Sequence, residues 1–227
     1  MSQVTPTSPH RFLSLTTVAA PLEKTASTID EILGGWSAHG HDTRRGPLDL
    51  SILYDTDPVS GGAHPFKVVA FSPGDAAATT AIVTNLADGW NSLSYALSKR
   101  LKVLITQVTS TKNGDKYPKH SFEVWRHGER CRVLQVLRDS DKWKFYQHGR
   151  TEHFENPDHY RRRRISDRLH RAILIEYLKA IGWDATSESF WRPTDDAIYF
   201  EQGAAKSSFR RVTVPGRGFG RSHRCRW

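Results

Sequence analysis

The chain has 227 residues, 37% hydrophobic and 25% charged, which suits one soluble globular domain with extensions. No run approaches the roughly 18 apolar residues of a membrane-spanning helix. Two cysteines, Cys131 and Cys225, make neither a disulfide framework nor a metal site, so a cytoplasmic location is expected. The formal charge of +9 is unevenly spread. Seven of the 33 basic residues follow Glu201 with no acid among them, leaving 26 against 24 acids in the rest of the chain. The basic balance therefore argues for an anionic partner of the tail more than of the body.

Residues 1–10 are rich in Ser, Thr and Pro and read as a flexible N-terminus. One nearby basic residue, Arg11, and an apolar stretch broken by Ser and Thr read against a signal peptide. Residues 11–20 have strand composition, and Pro21 suits the first turn of a helix over 22–33. That helix places Leu22, Ala26, Ile29, Ile32 and Leu33 on one face, and Gly34 and Gly35 close it. Residues 37–47 read as a polar loop, 48–55 as a half-buried strand, 57–65 as loop and 66–73 as a buried strand.

Asp88 is the expected N-cap of a second helix through Leu101, with Trp90, Leu93, Ala96, Leu97 and Leu101 at helical spacing. A four-strand meander follows at 103–110, 120–127, 130–138 and 142–148, with short Gly- or Asp-containing turns between strands. Phe122, Val124, Val133, Gln135 and Leu137 alternate as in a sheet with one face on a helical layer. Residues 156–184 then read as one long helix, basic in its first half and apolar in its second. Ile165, Leu169, Ile173, Tyr177, Leu178 and Ile181 are its expected core face. Two short strands are expected at 189–193 and 197–202. Grouped strands with few interleaved helices predict an α+β fold, an antiparallel meander on a long C-terminal helix and a shorter second one. The expected organisation is a single domain over 11–202, with a compact core at 88–184 and a flexible basic tail at 203–227.

The long helix would put Arg161, Arg164, Arg168 and Arg171 on one face. Cations at a helix N-terminus oppose its dipole, which invites an anionic partner. Glu152, Glu155, Asp158 and Asp167 are near enough in sequence to pair with them instead. Arg217 and Arg221, in an Arg-Gly-Phe-Gly-Arg stretch, suit nonspecific nucleic-acid contact. His39, His41 and Asp42 have the residue types of metal ligands but no further clustered ligand, so a polar loop is expected and no metal or cofactor. Cys131 sits between two arginines on a strand, and Glu123 and Glu176 could be brought together by packing. On the fourth meander strand Trp143 and Phe145 should face the core and Lys142, Lys144, Tyr146 and His148 the outside. No nucleophile elbow or phosphate-binding loop is present, so the reading leans away from an enzyme.

Phe71-Ser72-Pro73, the helix residues Leu93, Ser94, Tyr95, Ala96, Leu97 and Ser98, the strand Val103-Leu104-Ile105 and the hairpin Glu123-Val124-Trp125-Arg126-His127-Gly128 together resemble small bacterial α+β proteins of the immunity type. The likeness spans 71–184 and rests on packing residues and turns. It implies a non-enzymatic, toxin-neutralising protein that binds another protein, and it carries over no functional residue. The locally basic body departs from the acidic surfaces that nuclease-blocking members present. A protein partner is therefore expected ahead of nucleic acid, with nucleic-acid binding through the arginine face and the tail as the alternative.

Overall fold

Among the described residues nine strands join in one antiparallel sheet, and separate apolar layers cover its two faces. The computed structural model describes residues 12–36, 40–53, 65–74, 78–112 and 114–203. The strands are β1 (Phe12–Val18), β2 (His41–Gly46), β3 (Lys67–Phe71), β4 (Thr80–Thr84), β5 (Leu104–Thr111), β6 (Lys119–Arg126), β7 (Glu129–Asp139), β8 (Lys142–Gly149) and β9 (Ala197–Gln202). Their order across the sheet is β2-β9-β3-β4-β1-β5-β6-β7-β8. β5 to β8 form the expected meander, and β1 joins it to the other four strands. The fold is α+β with an antiparallel sheet.

Side chains alternate between the faces along each strand. On one face Val18, Val68, Ala70, Ile82, Ile105, Ile198 and Phe200 meet helix α1 (Leu22–Trp36) and helix α2 (Asn91–Leu101). The apolar face of α1 is the expected one, since Leu22, Ala26, Ile29, Ile32 and Leu33 are all buried. α1 continues through both glycines to Trp36. The loop into α2 departs from a simple aspartate cap. Asp88 Oδ1 accepts the Trp90 N–H at 3.0 Å, and Trp90 itself precedes the helix at φ 59°, a left-handed conformation. Its ring lies 4.9 Å from Phe66 and 6.1 Å from Trp36, so aromatic packing holds an otherwise unfavourable backbone.

On the other face Leu15, Val69, Phe71, Val83, Val108, Phe122, Leu134 and Val136 meet Leu169, Ile173, Leu174, Tyr177 and Leu178. Here the expected long helix is corrected. Residues 156–184 hold a 3-10 turn (Pro157–Arg161), a second (Ile165–Asp167) and only then helix α3 (Arg171–Ala180). The backbone is extended at Arg162, Arg164 and His170. Arginine forks take the place of helical hydrogen bonds. Arg162 Nη1 donates to Asp167 O at 2.9 Å, and Arg168 Nε donates to Arg162 O at 2.9 Å. Four successive cations against a helix dipole, of which Asp158 in the turn answers Arg161, favour this irregular strap.

Other segments also differ from expectation. The polar residues 41–46 form strand β2 through pairing with β9 rather than through any apolar pattern. In 48–55, Asp49 Oδ1 accepts from Ser51 N and Ser51 Oγ, which replaces a strand by the 3-10 turn Ser51–Leu53. Ser189–Trp191 is likewise a 3-10 turn, with Phe190 buried. β4 was not anticipated, because all five of its residues are buried and it shows no alternation. In β7 the residues in phase with Phe122 and Val124 are Leu134 and Val136, whereas Val133 pairs with Glu123 on the opposite face.

Candidate functional site

The end of the sheet at β7 and β8 is built around one buried ion pair. Arg132 points under the sheet, where Nε and Nη2 donate to Glu155 Oε1 and Oε2 at 2.8 and 2.6 Å. Both side chains are almost fully buried. Arg132 Nη1 also donates to Gly149 O at 3.0 Å, and the Glu152 N–H reaches Glu155 Oε1 at 3.0 Å. Tyr160 donates to Glu155 Oε2 at 2.5 Å, and its hydroxyl lies 2.8 Å from that of Tyr177. Burial first, then the Glu155 carboxylate, pushes the Tyr160 hydroxyl far above its ordinary range. The network is fully bonded and structural, and it ties β7, β8, the strap and α3 together. Gly149, at φ +82°, is required there, because a Cβ would collide with the Cys131 carbonyl.

Among the described residues β8 is the last strand of the sheet and pairs only with β7. Trp143 and Phe145 pack against the core while Lys142, Lys144, Tyr146 and His148 stand exposed, as the alternation predicts. No acid occurs from 142 to 151, and Arg150 extends the basic run. Tyr160 stacks on Phe145 at 5.7 Å, and the Arg168 guanidinium lies 5.5 Å from the Phe145 ring. The strap thereby runs beside β8. Between 157 and 171 it carries six arginines and two acids.

The four strap arginines expected on one helix face diverge. Arg161 is exposed and pairs with Asp158 at 3.3 Å. Arg164 is exposed, while Arg168 is spent on Arg162 O and Phe145. Arg171 turns inward, with Nη2 3.2 Å from both Ser110 O and Thr111 O. The four do not form one anion site. Glu155, expected as a pairing acid for them, belongs instead to Arg132. Among the described residues, Lys142, Arg150, Arg163 and Arg164 have no ion pair. Arg217 and Arg221 lie outside the described residues, as does His39.

Beside Arg171, His120 Nδ1 lies 2.9 Å from Ser110 Oγ. Ser110 and His120 are both buried. Burial, with His170 and Arg171 nearby, pushes His120 down to about 4. A serine sealed from solvent beside so weak a base suits a packing role better than nucleophilic catalysis. Glu123 and Glu176 are not brought together. Glu123 is buried on the α2 face, where burial raises its pKa and Arg130 counters, while Glu176 is exposed on α3 across the sheet. Cys131 is a half-buried free thiol whose Sγ lies 3.5 Å from Glu129 O. Among the described residues no three His, Cys, Asp or Glu side chains could hold a metal ion, and no helix is long and apolar enough to cross a membrane.

At the opposite end, a groove of about 320 Å³ lies between α1 and β2, lined by Glu23, Asp30, Thr43, Arg45, Ile198 and Phe200. Its charges are internally paired. His41 Nε2 lies 2.8 Å from Asp30 Oδ1, and Thr43 Oγ1 donates to the same oxygen at 3.0 Å. Arg45 grips Glu23 through two bonds of 2.8 and 2.6 Å. The hydrogen bond from Arg45 holds the Glu23 carboxyl below its ordinary range, as those from His41 and Thr43 do for Asp30.

Comparison of the chain with protein-family models, with curated proteins and with solved structures finds no match. The site is accordingly read from its own geometry. The sequence reading missed the role of β8 as a free edge and the Arg132–Glu155 anchor. The stretch without an acid from 142 to 151 was the signal for the first. The second has no local signal, because its partners are 23 residues apart.

Proposed function

We propose that the protein is a non-enzymatic binding protein that docks an acidic protein partner at the β8 end of its sheet. The observation that carries this reading is the set of exposed cations there, Lys142, Arg150, Arg163 and Arg164, without an ion pair among the described residues. Exposed cations along the strand and the adjoining strap, with few acids among them, offer electrostatic complementarity to an acidic surface. A protein partner is favoured over nucleic acid because Trp143 and Phe145, which could have stacked on bases, face inward, and Phe145 is covered by Tyr160 and Arg168. The finer reading is that the partner is a toxin which this protein neutralises. It rests on the sequence resemblance alone.

The test uses fluorescence anisotropy with labelled poly-glutamate and with single- and double-stranded oligonucleotides of equal charge. The wild-type protein should bind the acidic peptide and lose affinity as salt rises. A Lys142→Ala, Arg163→Ala, Arg164→Ala variant should bind at least about tenfold more weakly. Absence of peptide binding, or equal binding by the variant, would contradict the proposal. Tighter binding of the oligonucleotides would transfer it to nucleic acid. The toxin reading is tested by co-expression with the products of neighbouring genes, scored as rescue of growth. Failure of every such pair overturns that finer reading.

A further inference from the structure

The geometry points to strand addition: we infer that the acidic partner supplies an extended segment that pairs with the free edge of β8 as a tenth strand. This rests on the acidic-partner reading and specifies how such a partner is held.

The backbone provides the first observation. β7 and β8 are joined by the two-residue turn Ser140-Asp141, with Asp139 opposite Lys142. Such a turn closes on a hydrogen bond between its flanking residues, and bonded and non-bonded pairs then alternate along an antiparallel ladder. No register shift interrupts the ladder through Gly149. The N–H and C=O groups of Lys142, Lys144 and Tyr146 therefore face β7, and those of Trp143, Phe145 and Gln147 face away from the sheet. No other backbone group among the described residues bonds to these three. They form a row of donors and acceptors at strand spacing, which is the template that an added strand uses.

Charge identifies the occupant. A second copy paired edge to edge would set Lys142, Lys144 and Arg150 against the same cations. The segment 204–227 of this chain carries seven basic residues and no acid, so it is repelled as well. Lysines on an edge suppress self-pairing in this way, and they admit a strand of opposite sign. Carboxylates on alternate residues of an added strand lie on one face of the sheet, where they would meet Lys142 and also Lys144, which already pairs with Asp139. The backbone bonds would supply affinity and the cations would supply selection.

The experiment uses the full-length protein and three peptides as long as β8, with eight residues each. One is acetyl-Glu-Val-Glu-Thr-Glu-Val-Glu-Thr-amide. The second is the same peptide N-methylated at alternate residues, which keeps its charge and removes the donors that a ladder needs. The third has Lys in place of Glu. Strand addition predicts binding of the first peptide, at least about tenfold weaker binding of the second, and none of the third. Gln147→Pro removes an outward N–H at an exposed edge position, where proline is tolerated, and should weaken binding of the first peptide by a similar factor. If the N-methylated peptide and Gln147→Pro each bind like their parents while salt still weakens binding, strand addition is overturned and acidic docking stands. If the first peptide shows no binding at about 1 mM, both readings fall. Equal binding of the Lys peptide overturns the charge argument.

Discussion

The two ends of the sheet carry the same structural liability and handle it in opposite ways. β2 and β8 are both edge strands, and each presents a row of polar backbone groups that no further strand covers among the described residues. On β2 the polar side chains other than Asp42 are tied down. Asp30 receives His41 and Thr43, Glu23 receives Arg45, and Arg44 lies 3.4 Å from Glu201 and 3.9 Å from the Tyr199 ring. β8 itself carries no acid; Lys144 pairs with Asp139, but Lys142 and Arg150 are left without an ion pair among the described residues, while the neighbouring strap adds Arg163 and Arg164. Position at an edge does not distinguish the two strands. The difference lies in whether the molecule provides its own counter-charges, and it marks β8 as the end that is open to a partner.

The largest expected effect comes from the anchor beneath the open edge. Glu155→Ala leaves the Arg132 guanidinium buried and unpaired, and should cost about 3–5 kcal/mol in chemical denaturation. It should also loosen the β8 side while leaving β2 pairing intact. A loss well below 1 kcal/mol would show that the anchor does not hold that end.

A smaller effect is expected from pH. His120 is held down to about 4 against an ordinary 6.5, by burial first and then by His170 and Arg171. The folded protein keeps it neutral where the unfolded chain takes up a proton, so the unfolded state binds more protons between those values. The contribution is fully present above pH 6.5, is lost as pH falls toward 4 and then levels off. It amounts to about 3 kcal/mol at most. Denaturation midpoints measured across this window should slope for the wild type and flatten for His120→Gln. An unchanged slope in the variant would remove His120 as the cause.

The smallest effect belongs to the closed edge. The Glu23–Arg45 pair is exposed, and a double-mutant cycle on it should give a coupling below about 1 kcal/mol. Its removal should nevertheless make β2 more open to an added strand, which would bring the two edges closer in behaviour. A coupling of several kcal/mol would mean that β2 is held by charge rather than by its pairing with β9.

Much of this architecture was legible in the sequence because it depends on local pattern. The meander followed from alternation and turn residues, and the α1 face from Leu22, Ala26, Ile29, Ile32 and Leu33. The strand phase of Trp143 and Phe145 was likewise readable. The misses occurred where long-range contacts override pattern. β2 exists because β9 and α1 receive its polar side chains, which no periodicity records. β4 is buried on both faces, so its residues carry no alternation. The strap kept a helical spacing of apolar and basic residues, yet Tyr160 is drawn to Glu155 and Arg162 and Arg168 bond backbone carbonyls, which breaks the helix before Arg171. The expected arginine face depended on that helix and disappeared with it. Its exposed members, Arg161 and Arg164, lie on the strap that Tyr160 and Arg168 hold against β8.

The central claim is that an acidic strand adds to the β8 edge and not to the β2 edge, and residue-resolved amide hydrogen exchange tests it most directly. In the free protein the amides of Trp143, Phe145 and Gln147 should exchange rapidly while those of Lys144 and Tyr146 are protected by the ladder. Addition of the acidic peptide should protect the first three and leave the amides of β2 unchanged. Protection that appears on β2, or amides of Trp143, Phe145 and Gln147 that exchange alike with and without the peptide, would contradict the account.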